Sequence, residues 1–117
     1  MNSNIIEEKS FDFAVRIVRL YQYLADDKKE YVISKQLLRS GTSVGANVVE
    51  ALDAISRREF INKMSISLKE CSETIYWIEL LYRTEYLSDR QYSSIHADSK
   101  ELKRILSSIV KTAKETR

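Results

Sequence analysis

The chain has no proline and only two glycines in 117 residues, and this scarcity of turn-forming residues is its most restrictive feature. A fold with many strands needs many tight turns, and Gly, Pro and Asn supply most of them. Hydrophobic residues make up 44% of the chain and charged residues 31%. The composition therefore predicts an all-α protein, and the length suits one domain that buries a sizeable core.

Three short segments have the form of a capping box, in which the first residue and the residue three positions later cap each other's backbone N–H. They are Asp27-Lys-Lys-Glu30, Ser56-Arg-Arg-Glu59 and Ser88-Asp-Arg-Gln91. With the apolar spacing of three and four residues, they predict four helices at about residues 7–25, 28–54, 57–85 and 89–115. Because the links are short, neighbouring helices should be antiparallel. Residues 1–117 are thus predicted to form a single antiparallel up-down-up-down four-helix bundle.

Residues 41–45, Gly-Thr-Ser-Val-Gly, match the G-x-S-x-G pattern around the nucleophilic serine of many hydrolases. That chemistry needs a buried strand before the serine and a histidine within reach. The residues before Gly41 have helical spacing instead, and the single histidine, His96, falls on the polar side of the fourth helix. The favoured explanation is a band of small residues for close helix packing, in which Asn47 can hydrogen-bond across the contact. This packing motif comprises Ser40, Gly41, Ser43, Gly45 and Asn47.

Two longer segments are distinctive when they are taken together: QLLRSGTSVGANVVEA and, shortly after it, SRREFINKMSISLKECSETIYWIELLYRTEYL. They closely resemble the four-helix-bundle proteins named 23S rRNA intervening-sequence proteins, and the resemblance covers essentially the whole chain. It implies a small bacterial bundle that assembles as a homopentamer. Family members are often encoded within insertions in ribosomal RNA genes. They are also similar to the accessory protein of diversity-generating retroelements, a basic pentamer that binds nucleic acid and reverse transcriptase.

The predicted fourth helix carries the main basic surface, although the net charge of the whole chain is only +2. At about 100° per residue, five of its cations fall within an arc of roughly 100°, opposite the apolar seam. A stripe of this kind can follow a phosphate backbone, and it can equally be a solvated face whose lysines complement the helix dipole. The candidate nucleic-acid-binding residues are Lys100, Lys103, Arg104, Lys111 and Lys114.

The predicted first and third helices carry more apolar residues than one bundle seam can bury. On the third helix, Ile66, Trp77 and Leu80 point away from the seam. On the first helix, apolar positions occupy more than half of the circumference. An oligomer interface is the favoured explanation, and scattered surface hydrophobic residues are the alternative. The candidate interface residues are Phe13, Ile17, Leu20, Ile66, Trp77, Leu80 and Leu81.

The remaining features predict neither a cofactor nor a membrane. One histidine and one cysteine, Cys71, supply no metal-ligand cluster, and a single cysteine fits a reducing cytoplasm. The N-terminal residues do not have the form of a signal peptide, and no apolar stretch approaches the ~18 residues of a membrane span. We therefore expect a cytoplasmic, non-enzymatic oligomer without a small-molecule substrate, whose partner is RNA or a nucleoprotein. A protein–protein adaptor oligomer without nucleic-acid binding is the alternative.

Overall fold

The computed structural model describes residues 3–115, and their side chains from residue 5 onward. Helices that follow each other in the chain pack together, and the first also packs against the last, which closes the bundle. The described part measures 48 × 21 × 19 Å and contains no strand. The all-α antiparallel up-down-up-down four-helix bundle is therefore confirmed. Its helices are α1 (Ser3–Asp26), α2 (Ile33–Leu52), α3 (Arg57–Arg83) and α4 (Asp89–Glu115).

Side-chain caps fix the start of α3 and α4 where the sequence predicts them. At α4 the capping box is reciprocal: the Gln91 N–H donates to Ser88 Oγ at 3.1 Å, and the Ser88 N–H donates to Gln91 Oε1 at 2.8 Å. At α3 the Glu59 N–H donates to Ser56 Oγ at 3.0 Å. The Glu59 carboxylate accepts from the Ile55 N–H at 3.4 Å, and not from the Ser56 N–H as in a reciprocal capping box. These bonds satisfy N–H groups that have no partner inside their own helix.

The capping box predicted before the second helix does not form, so the predicted start near residue 28 is wrong. Lys29 adopts a φ of 57°, in the left-handed region, which interrupts helical geometry. Glu30 then caps the helix with its carboxylate, which accepts from the backbone N–H groups of Ile33 and Ser34 at 3.0 and 2.6 Å. As a result α2 begins at Ile33.

The buried face of α1 contains two residues that the sequence analysis assigned to an oligomer interface. Phe13 is 2% exposed and Ile17 is fully buried, and Leu81 of α3 is also fully buried. All three belong to the hydrophobic core that the four helices share. Their prediction as oligomer-interface residues is therefore wrong, because their own chain already encloses them. The predicted spacing of three and four residues recurs among the buried positions of both remaining long helices, which include Cys71, Ile75 and Ile78 in α3 and Ile95, Ser99, Leu102 and Leu106 in α4.

The two glycines lie where α2 packs against α1. A Cβ atom placed on Gly41 would lie 2.8 Å from Cγ1 of Ile17, and one placed on Gly45 would lie 3.2 Å from the carbonyl oxygen of Ser10. Real Cβ atoms are almost never found at the first of these distances, and the second is tighter than most observed contacts. A side chain at either position would therefore prevent α1 from packing this closely against α2, which is why glycine is required at both.

The polar members of the small-residue band serve other contacts. Ser40 is buried and accepts a hydrogen bond from Thr74 Oγ1 of α3 at 2.9 Å. The Asn47 side-chain amide donates to the carbonyl oxygen of Ser43 at 2.9 Å. That bond is internal to α2, so the expectation that Asn47 bonds across the helix contact is wrong. The amide reaches back by one turn, which satisfies it without a partner helix.

Candidate nucleic-acid interface

The G-x-S-x-G pattern lies inside α2 and does not form the strand–turn–helix of a hydrolase. Ser43 Oγ donates to the Arg39 carbonyl oxygen one turn earlier, at 2.7 Å. His96 lies on α4, diagonally across the bundle from α2, and its Nε2 pairs with Glu79 Oε2 at 3.0 Å. The two groups that a serine–histidine pair would need are thus on helices that do not touch.

The five cations predicted on α4 form a row along its outer side. Lys103 is half-buried and the other four are exposed. Leu102 and Leu106 lie on the buried side of the helix. Because α4 is a continuous helix from Asp89 to Glu115, the row has the periodicity that the sequence predicts. From Lys100 to Lys114 it is about 21 Å long at ~1.5 Å per residue.

The first turn of α3 extends this row with two arginines that the sequence analysis did not include. Arg57 donates from Nε and Nη2 to the carbonyl oxygen of Ala113 in the last turn of α4, at 3.3 and 3.0 Å. Arg58 shares a groove of about 520 Å³ with Lys114, and Glu59 is the only acidic residue in its lining. Finding these arginines requires knowing that α3 begins where α4 ends. We call the resulting set the α3–α4 basic surface: Arg57, Arg58, Lys100, Lys103, Arg104, Lys111 and Lys114.

The cations of the α3–α4 basic surface differ from the cations at the other helix–helix contacts in having no ion pair. Between α1 and α4, Lys9 and Arg16 each pair with an acidic residue of α4, at 3.4 and 2.6 Å. Between α2 and α3, Arg39 pairs with two glutamates of α3, and Lys63 pairs with one of α2 at 2.7 Å. Among the described side chains, no carboxylate lies within 4.0 Å of any cation of the α3–α4 basic surface.

Four of the predicted interface residues are partly exposed and remain candidates: Leu20, Ile66, Trp77 and Leu80. Trp77 packs partly against the core, and its indole N–H donates to Glu73 Oε2 at 3.0 Å. The structure also exposes an apolar surface that the sequence analysis did not assign to an interface. Between α1 and α2 it forms a groove of about 780 Å³, bordered by Glu7 and Glu8. Its exposed large side chains are Phe11 of α1, which is 68% exposed, and Val49 of α2.

Cys71 is a buried thiol whose Sγ donates to the carbonyl oxygen of Ser99 at 3.4 Å. Burial raises the pKa of the Cys71 thiol to about 11, and the positive charge of Lys103 opposes that rise. A protonated, enclosed thiol is a poor nucleophile. Within the described residues there is no group of three or more His, Cys, Asp and Glu side chains placed to hold a metal ion. Nor does any helix there combine the length and apolar character that a membrane crossing requires.

The fold is that of a small helical-bundle protein, and among the described side chains the cations of its α3–α4 basic surface have no carboxylate partner. The chain belongs to the 23S rRNA-intervening sequence protein family, whose model matches residues 2–108, so the resemblance found in the sequence is confirmed. It is similar to a crystal structure at 1.70 Å of a Bacteroides thetaiotaomicron protein of unknown function from the S23 ribosomal protein family. The two are 57% identical with a TM-score of 0.93, over 95% of this chain and 99% of the other. A comparison with curated proteins finds no match.

Proposed function

We propose that this protein is a cytoplasmic, non-enzymatic oligomer that binds RNA, alone or within a nucleoprotein, through the α3–α4 basic surface. The main support is that, within the described residues, none of its seven cations forms an ion pair with an acidic side chain. Cations already paired with carboxylates must give up those partners before they bind phosphate. Unpaired cations instead hold only mobile counterions, and releasing these favours binding.

The shape of the surface supports a polyanion as the ligand. The α4 row is straight and about 21 Å long, which matches roughly six phosphates along one strand at ~3.4 Å each. Arg57 and Arg58 add positive charge at one end. None of these side chains lies in an enclosed pocket that would select a small molecule. Contacts of this kind bind the backbone with little dependence on base sequence.

A protein–protein adaptor oligomer is the second candidate, and the groove between α1 and α2 favours it. Phe11 and Val49 present apolar surface there, and monomeric proteins rarely leave such a patch uncovered. Self-association through this groove is compatible with RNA binding, because the α3–α4 basic surface lies on other helices. The family resemblance implies five subunits. The two candidate functions differ only in whether nucleic acid binds.

The test is binding of a generic RNA to the wild-type protein, measured by electrophoretic mobility at several salt concentrations and by native mass with and without RNA. We expect a complex at low salt whose affinity falls steeply as salt rises. Absence of a complex at low salt would reject RNA as the partner and leave the adaptor function.

A double variant with two reversed charges tests whether RNA binds at the α3–α4 basic surface. Lys103→Glu with Lys111→Glu should weaken binding at least tenfold for every RNA sequence. The slope of log affinity against log salt concentration should fall by the amount expected for the loss of about two phosphate contacts. The matched control is Lys28→Glu with Lys35→Glu, which changes the same charge at exposed positions elsewhere. Equal affinities of the two double variants would show that the binding surface lies outside α4.

A further inference from the structure

Tyr76 lies on α3 between two residues that contact α4, Cys71 opposite Ser99 and Glu79 opposite His96. It is therefore level with the turn of α4 just before Lys100, where the basic row begins. It is 57% exposed. Ser65, eleven residues earlier, is almost three full helical turns away and therefore shares its face, and Ser65 lines the groove that contains Lys114. Glu79, one turn after Tyr76, pairs with His96 of α4. An exposed aromatic ring thus accompanies the α3–α4 basic surface.

The ring of Tyr76 has cations on either side along α3. Lys69 and Arg83 lie seven residues before and after it, two turns or about 10 Å in each direction, and both are exposed. Three acidic residues lie in this stretch, and each has a partner. Arg39 pairs with Glu70 and Glu73, and Nε2 of His96 lies 3.0 Å from the Glu79 carboxylate. On this face of α3 a cation, the exposed ring and a second cation therefore alternate at a spacing of two turns, and the acidic residues between them are already paired. That alternation is typical of proteins that bind single strands by phosphate contacts and base stacking.

Tyr76 is also held in position before any ligand arrives. Its ring centroid lies 4.9 Å from that of Trp77, with the ring planes at 72°. Trp77 is fixed in turn by its hydrogen bond to Glu73 and by packing against the core. A ring that is already oriented loses less side-chain entropy when a flat ligand stacks on it.

From this arrangement we infer that the α3–α4 basic surface binds single-stranded nucleic acid and that one base stacks on the ring of Tyr76. The inference rests on the proposed function and names its ligand more narrowly. A duplex keeps its bases stacked on each other, whereas an unpaired base has a free face for an aromatic side chain. Any base can stack in this way, which agrees with backbone contacts that do not read sequence.

The experiment compares a 12-nucleotide oligouridine, the matching oligodeoxyuridine and a 12-base-pair RNA duplex, each labelled with fluorescein, by anisotropy at low salt. Tyr76→Leu removes the ring and keeps an apolar helix-forming side chain. Tyr76→Phe keeps the ring. Tyr31→Leu, at another exposed tyrosine (51%), is the matched control, and circular dichroism checks that each variant keeps its helices.

We expect the wild type to favour single strands over the duplex, and Tyr76→Leu to lose at least fivefold in affinity for single strands. Its salt dependence should not change, because no phosphate contact is removed. Tyr76→Phe and Tyr31→Leu should bind as the wild type does. The better of the two single strands identifies the preferred sugar, and either preference agrees with stacking.

The two possible failures are distinguishable. If wild-type protein binds the duplex as tightly as single strands, or if Tyr76→Leu binds single strands as tightly as the wild type, the stacking inference is wrong while the proposed function stands. If wild-type protein binds none of the three probes, both are rejected. Emission of Trp77, the only tryptophan, is an independent readout because a base on Tyr76 would change the surroundings of the indole.

Discussion

Gly45 of α2 lies directly against the backbone of Ser10 in α1, where a Cβ atom on the glycine would be 3.2 Å from the Ser10 carbonyl oxygen. A backbone carbonyl of a helix cannot move aside as the end of a flexible side chain can. The contact therefore sets how closely the two helices approach. It also gives the G-x-S-x-G pattern a packing role, since Gly41, one turn earlier, leaves room for the side chain of Ile17.

The first prediction concerns this contact. Gly45→Leu should lower the free energy of unfolding by about 1–3 kcal/mol or more, because the new side chain overpacks the α1–α2 contact. Ala46→Leu is the control, since Ala46 is exposed on the same helix. Ser43→Ala should change stability by less than about 0.5 kcal/mol, because it removes only a hydroxyl bonded within its own helix. Urea unfolding measures all three, and equal stability of the two leucine variants would contradict the packing role.

The fold was predictable where local signals agree with each other. In α4 the serine–glutamine box and an unbroken apolar seam point to the same helix, and the structure has that helix. In α1 the local signals conflict, because two apolar arcs adjoin and either could face the core. The choice depends on α2, whose glycines receive the Ser10 and Ile17 side of α1. A contact between residues that are far apart in sequence cannot be deduced from the periodicity of one helix.

The candidate site shows the same division. The cations of α4 were predictable because they repeat along a single helix. Arg57 and Arg58 were not, because their place beside Ala113 and Lys114 depends on how two antiparallel helices align at their ends. Likewise, the position of Tyr76 relative to Lys100 depends on the register between α3 and α4.

The second prediction concerns Glu30 as the cap of α2. Burial raises the pKa of the Glu30 carboxyl, but hydrogen bonds from the backbone N–H groups of Ile33, Ser34 and Val32 outweigh burial and hold the pKa below its usual 4.5. A pKa that is lower in the folded state stabilises the fold above about pH 4.5, and this contribution disappears as the pH falls through the lowered value.

Replacing Glu30 with glutamine should therefore cost about 1 kcal/mol at pH 7. The difference from wild type should shrink between pH 4.5 and more acidic conditions. Glu115→Gln, an exposed carboxylate at the end of α4, serves as the control and should have little effect at any pH. Urea unfolding from pH 2.5 to 7 makes the measurement, and a Glu30→Gln difference that does not vary with pH would contradict the role of the charge.

The third prediction concerns the buried Cys71 thiol. Its pKa of about 11 lies above the ordinary 9.0, so the folded thiol stays protonated where the unfolded thiol ionises. Stability should accordingly fall as pH rises from 9 towards 11. In Cys71→Ala this part of the decline should be missing. At pH 8 the wild-type thiol should react with Ellman's reagent slowly in buffer and rapidly in denaturant, and rapid labelling of the folded protein would show that the thiol is accessible.

The last prediction concerns the surface through which copies of the chain associate. Phe11 is 68% exposed beside the apolar groove between α1 and α2, whereas Trp77 is partly enclosed by its own chain. An exposed aromatic side chain at the edge of an apolar groove is the usual anchor of an interface. Phe11→Glu should therefore split the assembly into smaller species that keep their helices, because Phe11 contributes little to the core.

Ile55→Glu is the matched control, since it places the same charge on an apolar side chain that is 95% exposed in the link between α2 and α3. Sedimentation at micromolar concentration compares both variants with the wild type. Trp77→Glu separates the two candidate surfaces: if it dissociates the assembly with its helices intact while Phe11→Glu does not, the interface lies on α3 as the sequence analysis predicted. If the wild-type protein sediments as a 13.6 kDa monomer, copies of the chain do not associate. Neither the groove between α1 and α2 nor the surface around Trp77 is then an oligomer interface.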